Sequence, residues 1–121
     1  MLISVKVANN MRRDIVGFPN YTIDLNGQVY SKDLKRVLSP YSNGIGYMAI
    51  KLLQNGKRYQ KYIHRLVAEN FIGDCNKLDV NHIDGNKLNN SVNNLEIVTH
   101  RVNQIHAFKN KLLGGFVKKY Y

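Results

Sequence analysis

The sequence predicts an α+β chain: an N-terminal antiparallel β-hairpin lobe followed by a strand–loop–strand–helix unit. Three observations carry this. Asn26-Gly27 and Asn55-Gly56 each sit between β-rich runs, which is the strongest short-range hairpin signal. Ile63, Leu66, Val67 and Phe71 then recur at the spacing of one helix face. Finally, residues 81–106 gather three of the four histidines and eight asparagines or glutamines. A run of that polarity does not serve only to fill a core, because each buried amide or imidazole without a partner costs about 1–3 kcal/mol. It is a polar surface loop or a site.

Taken in order, residues 2–7 alternate loosely and suit an edge strand. Residues 8–20 contain Asn9-Asn10, Gly17 and Pro19-Asn20 and read as irregular chain entering a turn. Tyr21–Leu25 and Gln28–Ser31 form the first expected hairpin, joined by a two-residue type I′ turn at Asn26-Gly27. Arg36–Leu38 is a short third strand that ends at Pro40. Gly46–Leu53 and Lys57–Ile63 form a second hairpin around Asn55-Gly56. Its return strand interleaves basic and aromatic residues, a pattern that suits a phosphate backbone and equally an ordinary solvated sheet face. A helix over 63–71 ends at Ile72-Gly73. Asp79–His82 is a strand, and 83–93 is a long turn built on side-chain to backbone bonds. Leu95–Val98 is the return strand, and Thr99 is the N-cap of a helix over about 100–110. A basic tail follows Gly114-Gly115. The expected organisation is a β-rich lobe over 1–62, the helix and strand–loop–strand–helix unit over 63–110 and a tail over 111–121.

At 121 residues, with 18 Lys and Arg against 8 Asp and Glu, the chain has the size of one domain and a formal charge of +10. Such a balance points to a polyanionic partner, most often nucleic acid, with plain solubility charge as the bland alternative. No basic amphipathic helix supports a membrane surface, no run is long enough to span a bilayer, and the N-terminus reads as a strand rather than a signal peptide. Cys75 is the only cysteine. That excludes a disulfide framework and a Cys-x-x-Cys zinc knuckle, and it fits a reducing cytoplasm.

In the unit over 79–110, Asn81 and His82 end the first strand. Asn103 lies one turn into the helix, with His100 and His106 on nearly the same face. Hard divalent ions prefer oxygen ligands, and an asparagine offers a neutral carbonyl oxygen. Asn81 and Asn103 together would hold such an ion weakly, leaving positions open for water and for phosphodiester oxygens. His82, with an ordinary pKa near 6.5, could take a proton from the attacking water. Zinc held by three histidines is the competing metal reading.

The run Asn81-His82-Ile83-Asp84-Gly85-Asn86-Lys87-Leu88-Asn89-Asn90, followed by Asn94-Leu95-Glu96-Ile97-Val98-Thr99 and Asn103, resembles the HNH nuclease motif. It is similar in particular to the HNH endonucleases of phage and mobile introns. His64–Phe71 resembles the helix that precedes the motif in that group, and Gly17–Ser31 resembles a small β-rich module found on its N-terminal side. The resemblance covers about residues 12–108. It implies a ββα-metal (His-Me finger) unit and a metal-dependent endonuclease that hydrolyses phosphodiester bonds of double-stranded DNA by nicking or cutting. It implies catalytic residues His82 (the general base), Asn94 (tying the long loop to the strand) and Asn103, with Asn81 and Asn103 holding one divalent ion, Mg²⁺ or else Mn²⁺. Asn81 stands where some relatives have aspartate, so one charge is missing. Some relatives carry a C-terminal helix-turn-helix region that confers site specificity, and this chain is expected to lack it.

Lys32, Lys35, Arg36, Lys51, Arg58, Lys61, Lys87 and Arg101 are the expected phosphate contacts. The remaining asparagines, 86, 89, 90 and 93, read as turn chemistry. His64 is expected to pack beneath the motif, and His100 to touch phosphate or support the site. The expected state is a monomer rather than a homodimer, in the cytoplasm, that of the host if the chain is phage-encoded. The alternative function is a non-catalytic nucleic-acid-binding module that retains the fold.

Overall fold

A computed structural model describes residues 11–105. The expected strand over 2–7, the helix beyond residue 105, His106 and the tail over 111–121 lie outside the described residues. The architecture is α+β, as the sequence predicts. Strands β1 (Arg12–Ile15), β2 (Phe18–Asp24), β3 (Val29–Ser31) and β4 (Arg36–Val37) form an antiparallel sheet in that spatial order. A second antiparallel sheet contains β5 (Tyr41–Ser42), β6 (Met48–Gln54) and β7 (Lys57–Tyr62). Helix α1 (Ile63–Phe71) continues directly from β7. Strand β8 (Asp79–His82) then pairs with β9 (Leu95–Val98), with a single 3₁₀ turn at Val92–Asn94 between them. Residues 100–105 are helical and form α2. No helix among the described residues is long and apolar enough to cross a membrane.

The two Asn-Gly hairpins part company. Asn55 (φ 52°) and Gly56 (φ 78°) are both left-handed, and Gln54 faces Lys57 across them. That is the two-residue turn the sequence calls for. At Asn26-Gly27 the expected type I′ turn does not form, because only Gly27 is left-handed (φ 86°). The Asp24 carboxylate accepts the backbone N–H of both Asn26 and Gln28, at 2.9 Å each. This bond pattern opens the turn into a loop over Leu25–Gln28. The irregular reading of 8–20 is also corrected. Arg12–Ile15 pairs with β2, and a left-handed Gly17 (φ 83°) closes the turn between them. Strand β5 was not anticipated, since a two-residue strand leaves no periodicity to read.

One apolar core joins the pieces. Ile15, Phe18, Tyr21, Ile23 and Val29 of the first sheet meet Ile50 and Leu52 of the second. Ile63, Leu66, Val67 and Ala68 of α1, and Val80 and Leu95 of the last hairpin, belong to the same cluster. Helix α1 has no side-chain N-cap and no acid in its first turn, so burial of this face holds it. Polar ties set its position. Asn70 is buried, accepts Val16 N–H at 3.1 Å and donates to Leu66 O at 2.8 Å, while Arg13 donates to Asn70 O at 2.7 Å. The Tyr21 hydroxyl accepts Leu53 N–H at 2.9 Å and links the two sheets.

Gly27 lies where the first hairpin meets α1. A Cβ there would stand 2.7 Å from Ile63 Cγ2, on a backbone that L side chains rarely adopt. Gly27→Ala is expected to destabilise the fold by about 1–3 kcal/mol, combining overpacking with left-handed strain. The urea midpoint measures it, and a midpoint equal to the wild type would refute this packing role.

Candidate functional site

The site grows from β8, β9, the loop between them and α2. Arg65 on α1 seats β8 by donating to Cys75 O at 2.7 Å and Leu78 O at 2.9 Å, the carbonyls just before the strand. Strand alternation then places Asp79 and Asn81 on one face of β8. Thr99 caps α2 through its Oγ1, which accepts Val102 N–H at 3.1 Å. Thus anchored, α2 brings His100 and Asn103 over the start of β8.

There both side chains meet one carboxylate. Asp79 Oδ2 accepts from Asn103 Nδ2 at 3.1 Å and from His100 Nδ1 at 2.9 Å. Partial burial works to raise the Asp79 pKa, but the hydrogen bonds from His100 and Asn103 more than offset it and hold the carboxyl below its usual range. A carboxylate only accepts, so it fixes the amide of Asn103 with Nδ2 inward and Oδ1 opposite. That Oδ1 is buried with no hydrogen-bond partner among the described residues. Asn81, 3% exposed, repeats the arrangement on the neighbouring strand, with Nδ2 on Glu96 Oε2 at 2.9 Å. Its Oδ1 is thereby turned away from Glu96.

His82 is buried, and its Nε2 lies 2.7 Å from Asn90 Oδ1. With that oxygen as acceptor the proton sits on Nε2, and Nδ1 keeps its lone pair. Desolvation lowers the His82 pKa, with Lys87 acting in the same sense. The Asn90 hydrogen bond and Asp84 oppose this without reversing it. His64 packs 4.9 Å from His82 between ring centroids, and Tyr47 stacks on His64, also at 4.9 Å. Burial first, then His82, Arg65 and Lys87, push the His64 pKa down to about 3. Both imidazoles are neutral near pH 7. A cleft of about 290 Å³ is lined by Tyr47, Tyr62, His64, Asp79, His100 and Asn103 among others.

Asn94 and Asp84 clamp the loop. Asn94 Nδ2 donates to Asp84 Oδ1 and to Asn89 O, at 2.9 Å each, and its Oδ1 accepts Asp84 N–H at 3.1 Å. Donors from the Asn86 backbone, Asn94 and Asn89 hold the Asp84 carboxyl below its ordinary range.

The expected site residues Asn81, His82, Asn94 and Asn103 therefore fall within one small unit. The expected phosphate contacts do not share one surface. Lys32 pairs with Asp14 at 2.9 Å on the first sheet, where Lys35 and Arg36 are also exposed. On the second sheet Lys51 and Arg58 share the outer face. The register places Lys61 on the opposite face, over the Phe18 ring at 5.4 Å. Lys87 lies over Tyr47 at 4.5 Å and donates to Ile45 O, while Arg101 is exposed on α2. Asn90, read as turn chemistry, is instead the partner of His82; no local pattern marks it, because its role depends on the fold of the loop. Asp79 and Glu96 were overlooked although readable, one being two residues before Asn81 and the other its cross-strand partner. Among the described residues no group of three His, Cys, Asp or Glu is arranged to hold a metal, which leaves the three-histidine zinc reading without support there.

Residues 61–105 match the family model of HNH endonucleases. The chain is 44% identical over 107 residues to YosQ, a protein derived from the SPbeta prophage of Bacillus subtilis (strain 168), covering 87% of this chain and 61% of that one. It is 39% identical over 93 residues to the DNA endonuclease I-HmuI of Bacillus phage SP01, covering 75% and 53%. A solved structure describing DNA binding and cleavage by the HNH homing endonuclease I-HmuI matches with a TM-score of 0.79 and 35% identity, over 84% of this chain and 59% of that one. The chain thus spans 53–61% of the length of these relatives.

The buried imidazoles make stability depend on pH. Above 6.5, the ordinary histidine value, neither the folded nor the unfolded state carries a proton on His64. Below it the unfolded chain takes the proton first, so stability falls towards pH 3, by up to ~1.4 kcal/mol per pH unit for each such histidine. The carboxylates Asp79 and Asp84 add their loss only near pH 4 and below. The urea midpoint is therefore expected to drop between pH 7 and 5, and to drop less in His64→Phe, which keeps a ring against Tyr47. Equal slopes for the two proteins would contradict a neutral buried His64.

Proposed function

The chain carries an HNH endonuclease unit over residues 61–105, and from that premise we propose that it is a metal-dependent endonuclease hydrolysing phosphodiester bonds of double-stranded DNA, by nicking or cutting. The observation that carries the reading is the oriented pair of His82 and Asn103. One is a neutral imidazole that donates its Nε2 proton to Asn90 Oδ1, and the other has a buried carbonyl oxygen with no partner among the described residues. The residues fit a hard divalent ion, because Asn103 Oδ1 and the Oδ1 of Asn81 offer oxygen alone, and this donor type favours Mg²⁺, with Mn²⁺ as a substitute. A bound ion would polarise the phosphodiester and stabilise the leaving 3′ oxygen.

The protein's own side chains do the rest. His82 accepts the proton of the attacking water at Nδ1. Asn90 keeps its ring from turning by holding the Nε2 proton, as an oriented base requires. Asn94 holds the loop closed and so keeps Asn90 on His82. Lys32, Lys35, Arg36, Lys51, Arg58, Lys61, Lys87 and Arg101 would hold phosphates, on more than one face of the molecule. Such contacts fix register on the duplex without reading bases. In this division of labour the β-rich part holds DNA and the last hairpin with α2 cuts it, as a monomer.

Plasmid DNA incubated with Mg²⁺ or Mn²⁺, with and without chelator, tests the reading. Metal-dependent nicking is expected, and none across several substrates would favour a non-catalytic binding module. His82→Ala should lower cleavage by about 10²–10⁴-fold, the usual worth of a general base, with DNA binding kept within a few-fold. Asn103→Ala should lose activity with partial recovery at high metal. kcat/KM should rise with pH and level off, its inflection lying below the ordinary histidine value because burial depresses His82. An inflection well above that value would exclude His82 as the base.

A further inference from the structure

We infer that Asp79 is a positioning residue for the metal centre, holding Asn103 Oδ1 towards the ion and supplying the negative charge that the amide ligands lack. This rests on the metal-dependent reading above. An ion held by Asn81 and Asn103 alone would meet two neutral oxygens on a chain of net charge +10, a poor place for a divalent cation before DNA arrives. Asp79 alters both terms. Its Oδ2 accepts from Asn103 Nδ2 at 3.1 Å, so the amide cannot turn over without setting two oxygens against each other. Hydrogen bonding at the nitrogen end of an amide to an anion also pushes electron density towards the carbonyl oxygen, strengthening it as a donor.

The oxygen so aimed is the buried Asn103 Oδ1, which has no partner among the described residues. Asp79 and Asn103 both line the cleft beside His64 and His100. Glu96 stands in the same relation to Asn81, at 2.9 Å, so each amide ligand is backed by a carboxylate. His100 Nδ1 also binds Asp79 Oδ2, at 2.9 Å, and holds the carboxylate at the foot of α2.

The test is Mn²⁺ titrated into the whole chain without DNA, with free Mn²⁺ followed by electron paramagnetic resonance. The wild type is expected to bind Mn²⁺ saturably. Asp79→Asn keeps an acceptor for Asn103 and removes only the charge. Its Mn²⁺ affinity should fall about 10–100-fold, the usual effect of losing such a supporting partner. The Mn²⁺ concentration giving half-maximal nicking should shift by the same factor, with the maximal rate kept within a few-fold. Asp79→Glu, which keeps the charge, should stay within a few-fold of the wild-type affinity. A tenfold loss there would assign the effect to shape and overturn the inference. So would unchanged affinity in Asp79→Asn, a lower maximal rate at unchanged affinity, or no Mn²⁺ binding by the wild type. A protein that binds Mn²⁺ in an Asp79-dependent way and nicks no DNA would refute the endonuclease reading and leave this inference standing.

Discussion

The Asp84–Asn94 clamp is the constraint on which the site depends. Residues 83–94 carry three apolar side chains, of which Ile83 and Leu88 are exposed and only Val92 packs on the core, too little burial to hold a shape. They are held instead by a carboxylate that accepts N–H donors from Asn86, Asn89 and Asn94. Asn94 completes the clamp by reaching Asn89 O and accepting Asp84 N–H. Backbone bonds from Ile83 N–H to Asn94 O and from Val92 N–H to Leu25 O, at 2.8 Å each, close the loop and fasten it to the first hairpin. Only because the loop is rigid does Asn90 arrive at His82, eight residues away. Polar chemistry in this unit therefore does the ordering that a core does elsewhere.

The same economy runs through the contacts of Asn103. A lone buried amide carbonyl without a partner is unfavourable by about 1–3 kcal/mol, and among the described residues Asn103 Oδ1 is such a group. A structure keeps such a group only if the neighbouring bonds leave it no other arrangement. Here the Asp79 carboxylate fixes the amide, and the Thr99 cap fixes the helix that carries it.

What could be read from the sequence follows from the range of the interactions involved. The Asn55-Gly56 turn, the apolar face of α1, the Thr99 cap and both strands of the last hairpin are set by residues within a few positions of one another, and all appear where expected. The Asn26-Gly27 turn fails as a local signal because Asp24 competes for its N–H groups and because the loop must pass over Ile63, 36 positions ahead in the chain. Strand β1 is visible only through its pairing with β2, since Arg12-Arg13-Asp14 has no apolar alternation. Of the candidate site residues, Asn81, His82 and Asn103 were singled out by type and spacing, and Asn94 only by the resemblance. Asn90 was not, because nothing in the local order of four asparagines distinguishes one that folds inward. Asp79 and Glu96 were within reach of a register argument, since a strand period of two and one cross-strand pair suffice to put them beside Asn81.

The shared core decides how far the β-rich part and the last hairpin can act separately. Ile63 and Val67 of α1 pack under Gly27, Leu95 and Val80 join the same cluster as Ile23 and Leu52, and Tyr21 bonds Leu53 across the sheets. With interiors packed to this density, the strands that carry the basic side chains are fixed relative to the one that carries His82. A phosphate gripped by Arg36 or Arg58 would then set where along the duplex the cleft comes to rest, although neither side chain touches it. Lys61, turned to the other face over Phe18, would serve a different stretch of backbone or none. The positive charge is therefore not one interchangeable patch. Each cation's surroundings depend on which face the strand period assigns it, and Lys51 and Arg58 stand opposite Lys61.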